Sequence, residues 1–311
     1  MMNSTSEAKS ANKKFNFINK AELQHEAIVR PSLSFWKDAM NRLVKNKVAM
    51  LGLSIIVLTI VMAIVGPWLT PYSYNQTNLS NINAPVSSTH WFGTDTLGRD
   101  LWARIWMGAR VSLAVGIIGA IIPSLLGMVI GGISGYFGGK TDMIIMRITD
   151  IGMCVPQLIY VILIMIYFGS GPLPIILAFA LTGWMGAARN IRGLVLQLKE
   201  REFVLASRAL GASSWRLIFK HLIPNTLSIL IVSMTMAIPS AIFYEAYLSF
   251  IGIGIKPPMS SWGQLVNSGI SVFQIYPSQL FIPAALISLI MLSFNLFGDG
   301  LRDAFDPKLR N

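Results

Sequence analysis

Residues 111–136 read VSLAVGIIGAIIPSLLGMVIGGISGY, twenty-six positions without one acidic or basic side chain. A helix rises 1.5 Å per residue, so about 20 apolar residues cross the roughly 30 Å of bilayer hydrocarbon. The stretch therefore spans a membrane. Five more apolar runs flank it, at about 48–69, 148–168, 172–188, 227–251 and 280–298. The fourth run in chain order, 172–188, is short, and either tilts inward or extends through Arg189. The reading is an all-α polytopic membrane protein with six transmembrane helices.

Composition agrees. Of 311 residues 53% are hydrophobic and 13% charged, where a soluble domain carries roughly 25% charged residues. Mean hydropathy of +0.59 excludes a disordered chain. One Cys and three His exclude a disulfide scaffold and leave little for a metal site. The first apolar run begins at residue 48 and is too long for the core of a cleaved signal peptide, so it is expected to remain as an anchor.

The net charge of +11 would point to nucleic acid in a soluble protein. Here it reads as topology, because Lys and Arg are retained in cytoplasmic loops. Taking alternate loops, one side holds 21 of the 25 Lys and Arg and the other holds Arg99, Arg104, Arg110 and Lys256. Both termini of this multi-pass chain are thus expected on the cytoplasmic side of the membrane. Residues 1–47 form a cytoplasmic tail that attracts anionic lipid, with an amphipathic interfacial helix over 34–47. The first span is 48–69, an external loop covers 70–110, the core transmembrane domain is 111–298, and 299–311 form a cytoplasmic tail.

The longest cytoplasmic loop, residues 199–225, reads KEREFVLASRALGASSWRLIFKHLIPN. Helix formers run from Glu202 to Leu210, Gly211 interrupts, Ser213 can cap a second short amphipathic run, and Pro224 precedes the next span. Generic periodicity leaves two readings open: a helix pair lying on headgroups, or a rigid knob joined at a glycine elbow. Gly139-Lys140-Thr141 ends like a phosphate-binding loop, but the glycine required five positions earlier is Ser134. No phosphate loop, zinc motif or nucleophile elbow occurs, which argues against an enzyme and against a cofactor bound by this chain.

The loop carries a family resemblance. Leu205-Ala206-Ser207, three residues, Gly211 and then Ile223-Pro224 resembles the Glu-Ala-Ala loop of ATP-binding-cassette importer permeases. Ala206, Gly211 and Pro224 match that pattern, while Leu205 and Ser207 replace its Glu and second Ala. Phe92 to Asp100 (FGTDTLGRD) with Gly108 to Leu113, Glu245 to Gly254 (EAYLSFIGIG) with Ser261-Trp262-Gly263, and Asn295 to Pro307 resemble blocks of the peptide-importer branch. The chain is identified as similar to OppC-type permease subunits of the OppBC subfamily, which implies a type I importer permease fold. The resemblance further implies a homologous second permease of the B type, two ATPase subunits that use ATP, an external solute-binding protein, and a peptide substrate. A nickel or other small-solute importer of the same branch, and a non-transporting structural or signalling subunit, are the alternatives. Leu205, Ala206, Ser207, Gly211, Ala212, Trp215 and Pro224 would form the ATPase-coupling loop, with Leu205, Leu210 and Trp215 as its apolar docking face.

Other residues carry open questions. Gly127, Gly131, Gly135 and Gly139 fall at steps of four, either for close helix packing or as a surface along which helices slide. Glu245 lies inside the fifth apolar run, where a charge is expensive; it is a pathway or gate residue, or else a structural partner. Arg147 and Asp150 are expected to pair at i, i+3, and Asp299 to lie beyond the last span. Asp95, Arg99 and Asp100 either contact a binding protein or cap their own helices. Trp68 and Trp262 are expected as interface anchors.

Overall fold

The computed structural model describes residues 35–306, so the tails at 1–34 and 307–311 lie outside it. Residues up to Asp38 form a unit apart, and the account below concerns the unit that begins at Ala39. The described residues are helical with no strand beyond an isolated Thr94–Asp100 bridge. Helix α1 (Phe35–Lys45) buries Ala39 and Leu43, as the amphipathic pattern predicts. Asn46 then caps α2 (Lys47–Val65), its side-chain oxygen accepting from the Val48 and Ala49 amides at 3.1 Å. A turn at Gly66–Trp68 leads into an irregular loop.

Helix α3 (Leu101–Phe137) is 37 residues long, so the expected external loop ends at residue 100 rather than 110. Three charges inside 100–110 made the segment look like loop, and each finds a partner. Asp100 is the N-cap, accepting from the Ala103 amide at 2.9 Å. Arg104 is fully buried and donates to Gln264 Oε1 at 2.8 Å. Arg110 donates to the Ala63 and Ile64 carbonyls at 2.5 and 2.7 Å, acceptors that the end of α2 leaves free.

The third apolar run is not one helix. Helices α4 (Gly139–Cys154) and α5 (Gln157–Phe168) meet at 83°. Pro156 has no N–H to continue a helix and forces the preceding residue out of the helical region; Val155 sits accordingly at φ −85°, ψ 123°. Arg147 and Asp150 do not pair, because Asp150 instead accepts from Arg189 at 2.6 Å across to α6 (Pro172–Leu198). That helix continues through Arg189, as one of the two expectations had it.

Helix α7 (Glu202–Ala209) follows, and then α8 (Ser214–Phe250), which runs unbroken for 37 residues. Helix α9 (Trp262–Ile270) is short, and α10 (Ser278–Phe305) carries Asp299 within it. The last helix therefore extends past residue 298, where a tail was expected. Among the described residues five helices are long and apolar enough to span a membrane, or six if α4 and α5 count as one bent span.

Glycines set the packing. A side chain at Gly127 would meet the Ala188 nitrogen at 2.7 Å, one at Gly131 the Ala188 Cα at 2.9 Å, and one at Gly135 the Arg192 carbonyl at 2.9 Å. Three members of the four-step stripe thus let α3 and α6 touch backbone to backbone in parallel, while Gly139 faces open space at φ +52°. Helix α8 runs antiparallel to α3, since Gly116 faces Ile242 and Gly132 faces Ile223. Helix α10 runs antiparallel to α2, with Gly52 against Ser293 and Gly300 against Ala49. One end of the bundle consequently carries the loop 66–100, and the opposite end carries α7. Trp68 is 75% exposed, as an anchor requires, but Trp262 is completely buried.

Candidate functional site

The segment 199–213 connects α6 to α8. Its helix, α7, is fixed from below by one residue, Val204, which is fully buried with Ile191 and Val195 of α6 and Leu217, Leu222 and Leu230 of α8. Gly211 ends α7 with φ +82° and empty space around its Cα, a conformation that penalises any side chain. The turn closes through the Leu210 amide to Ala206, the Gly211 amide to Arg208 and the Ala212 amide to Ser207. Ser213 then caps α8, accepting from the Arg216 amide at 3.4 Å.

Pro224 does not open the next span; it lies inside α8. The six residues before it, Leu217–Leu222 with Ile223 as cap, take a wider π-helical register. This register accommodates the proline, whose ring displaces the normal i−4 carbonyl. Asn225 Nδ2 donates to the His221 carbonyl at 2.5 Å. The knob is thus a single-helix elbow welded to α8, not a pair of free short helices.

Its exposed surface carries three large apolar side chains among charged ones such as Arg208 and Arg216. Leu205, Leu210 and Trp215 are 45%, 89% and 55% exposed, with Ala206 exposed, Ser207 and Ala212 half-buried, and Pro224 exposed. Trp215 stacks on Phe219 at 5.8 Å and meets Phe137 edge-on. Tyr136 at the end of α3 touches Ser214 at 3.3 Å and lies under the Arg208 guanidinium at 5.7 Å.

Glu245 sits near the other end of α8 and is wholly enclosed. Its Oε2 accepts from Ser112 at 2.7 Å and its Oε1 from Ser249 at 2.8 Å. Those serines bear further bonds: the Trp262 amide donates to Ser112 at 3.2 Å and the Ile255 amide to Ser249 at 3.0 Å. Trp262 Nε1 donates to the Ile105 carbonyl at 3.1 Å. One carboxylate therefore organises the whole 249–262 turn against α3. Asp95 and Arg99 pair at 2.7 Å, both buried, while Asp100 binds His90 Nδ1 at 2.8 Å and caps α3. These three side chains serve their own loop.

Residues 127–311 match the family described as the binding-protein-dependent transport system inner membrane component, and residues 34–85 match the N-terminal transmembrane domain of oligopeptide transport permease C. The chain belongs to the binding-protein-dependent permease family. It is 51% identical to the oligopeptide permease OppC of Bacillus subtilis, covering 92% of this chain and 93% of that protein. It is 49% identical to the dipeptide permease DppC of the same organism (94% and 93% covered) and 37% identical to OppC of Escherichia coli (95% and 96% covered). The chain is an OppC-type, multi-span inner-membrane permease.

The permease has a second cluster that reading by motif overlooked. Arg192 of α6 grips Asp142 of α4 with two bonds of 2.5 Å, and Ser134 of α3 donates to the same carboxylate at 2.6 Å. Together with Asp150–Arg189, it ties the α3–α4 corner to the helix that feeds the elbow. Residues 142 and 192 are 50 positions apart, so no local spacing rule could join them. Val204 was equally hidden, one apolar residue among several in α7.

Proposed function

We propose that this permease forms half of the translocation path of an ATP-driven peptide importer, partnered by a B-type permease, two cytoplasmic ATPase subunits and an external binding protein. The observation that carries the peptide assignment is likeness to oligopeptide and dipeptide permeases at about half identity over more than nine-tenths of each chain. ATP chemistry resides in the partner ATPases. The basic-loop asymmetry supports both termini and the elbow facing the cytoplasm.

In this reading the ATPase receives Leu205, Leu210 and Trp215 in an apolar cleft. With Leu205 in place of the pattern's Glu, the contact there is apolar rather than charged. Closing the ATPase dimer displaces the elbow, and because α6 and α8 both pack on Val204, the two helices move with it. Leu210, at 89% exposure, contributes most: its burial is worth about 1.5–3 kcal/mol. The test is reconstitution with the partner subunits, measuring uptake of a labelled neutral tripeptide and co-purification of the ATPase. Leu210→Asp with Trp215→Ala should release the ATPase. Retained ATPase binding by that double variant would refute the docking face, and nickel uptake in place of peptide uptake would refute the substrate.

A further inference from the structure

A cavity of about 290 Å³ opens between α3, α6 and α8 beside the α4–α5 break. Its wall includes Gly119, Pro123, Gln157, Phe179, Ser240 and Tyr244, and none of its lining residues is charged. Phe179 and Gly183 of α6 lie seven and eleven residues from Pro172, roughly 10–17 Å below that helix's end at 1.5 Å per residue. The cavity is therefore at hydrocarbon depth.

In its wall Ser124 donates to the Ala120 carbonyl at 2.7 Å, but several of the other polar groups lack partners. Pro123 has no N–H, so the Gly119 carbonyl one turn earlier receives no helical bond, and both residues line the cavity. The side chains of Gln157, Ser240 and Tyr244 make no hydrogen bond among the described residues. Ser240 and Gln157 are also exposed. Beside them the chain breaks by 83° between Cys154 and Gln157. Bare carbonyls and a broken helix are not tolerated against lipid tails; at this depth they occur where protein or a water-filled passage satisfies them.

We infer that this neutral wall is the permease's contact with the peptide main chain during passage. The inference rests on the proposed peptide-import function. A peptide presents an N–H and a C=O at every residue whatever its side chains are, and a wall of carbonyl, hydroxyl and amide groups answers both. A charged group at this position would select for or against Asp, Glu, Lys and Arg in the cargo. The wall carries none, so it passes acidic, neutral and basic peptides alike.

The experiment uses the complete importer in proteoliposomes, with uptake of Ala-Ala-Ala, Ala-Glu-Ala and Ala-Lys-Ala compared. Ser240→Asp should slow the acidic peptide about tenfold relative to the neutral one, and Ser240→Lys should slow the basic peptide instead. Ser240→Cys in a Cys154→Ser background, with Cys154 otherwise exposed, avoids any folding defect from a buried charge. After assembly it is modified by water-soluble thiol reagents that add either a sulfonate or a trimethylammonium group, with the same charge-dependent pattern expected. Failure of these reagents to label Ser240→Cys, or equal effects on all three peptides, overturns the inference. Failure of the unmodified importer to take up any of the peptides refutes the functional reading, while thiol labelling still reports separately whether the wall is wet.

Discussion

Ser112 and Glu245, 133 residues apart in the chain, meet at 2.7 Å in a wholly enclosed site joining α3 to α8. The carboxylate accepts from serine hydroxyls on α3 and on its own helix, α8. This arrangement makes the acid a packing joint. Glu245→Leu leaves two hydroxyls short of an acceptor, at about 1–3 kcal/mol for each buried group, and should sharply reduce detergent-extracted protein and its melting temperature. Glu245→Gln keeps an acceptor oxygen and should retain both abundance and peptide uptake. Loss of uptake in Glu245→Gln at normal abundance and melting temperature would instead make the acid part of the solute path.

The elbow prediction turns on conformation. Gly211 has φ +82° and nothing near its Cα, so a substitution acts through the backbone and not through a clash. Gly211→Val should strain the turn by about 1–2 kcal/mol and uncouple ATP hydrolysis from uptake. Gly211→Asn, which tolerates a left-handed backbone better, should recover much of the coupling. Equal loss in both variants would show that the space beside Gly211 is filled by the ATPase.

Along α3 the same residue type predicts opposite outcomes. Gly131→Ala drives a Cβ into the Ala188 backbone and should cost about 1–3 kcal/mol through forced separation of α3 and α6. Gly139→Ala meets no atom within 4 Å, and the strain of its positive φ is its main cost, about 1 kcal/mol. Thermal stability of the two variants in one detergent is the comparison.

At the α4–α6 tie, Asp142→Arg or Arg192→Asp alone should lower stability by about 1–2 kcal/mol, a modest figure because the pair is partly solvated. The reversed double variant should restore part of the loss while forfeiting the Ser134 bond. High salt should narrow the difference between wild type and the single variants.

The bundle was legible in the sequence because each long apolar run has to cross the membrane as helix. Its ends were not. Arg104 and Arg110 look like loop residues until tertiary acceptors at Gln264 and the α2 carbonyls satisfy them. Pro156 split a run that hydropathy alone joined, although proline chemistry contained the signal. Pro224 misled in the opposite direction, since a π-helical turn absorbed it without ending α8. At the elbow, Gly211 and the Ser213 cap were readable from local rules. Val204, Asp142 and Arg192 were not, because their partners lie on other helices.

Helix α8 carries the elbow at Trp215 and the serine-bound joint at Glu245, thirty residues or about 45 Å apart on one rod. Ser240 lies only five residues from the joint, about 7.5 Å. Treated as a beam anchored at Glu245, the helix reduces a push at Trp215 to about one-sixth of its size at Ser240. A stroke of several ångströms by the ATPase would then widen the bundle like a fan opening toward the elbow, while the neutral wall shifts by less than the width of an atom. Cargo would leave through an aperture that grows beneath it, without losing its hold on the wall until the fan is open.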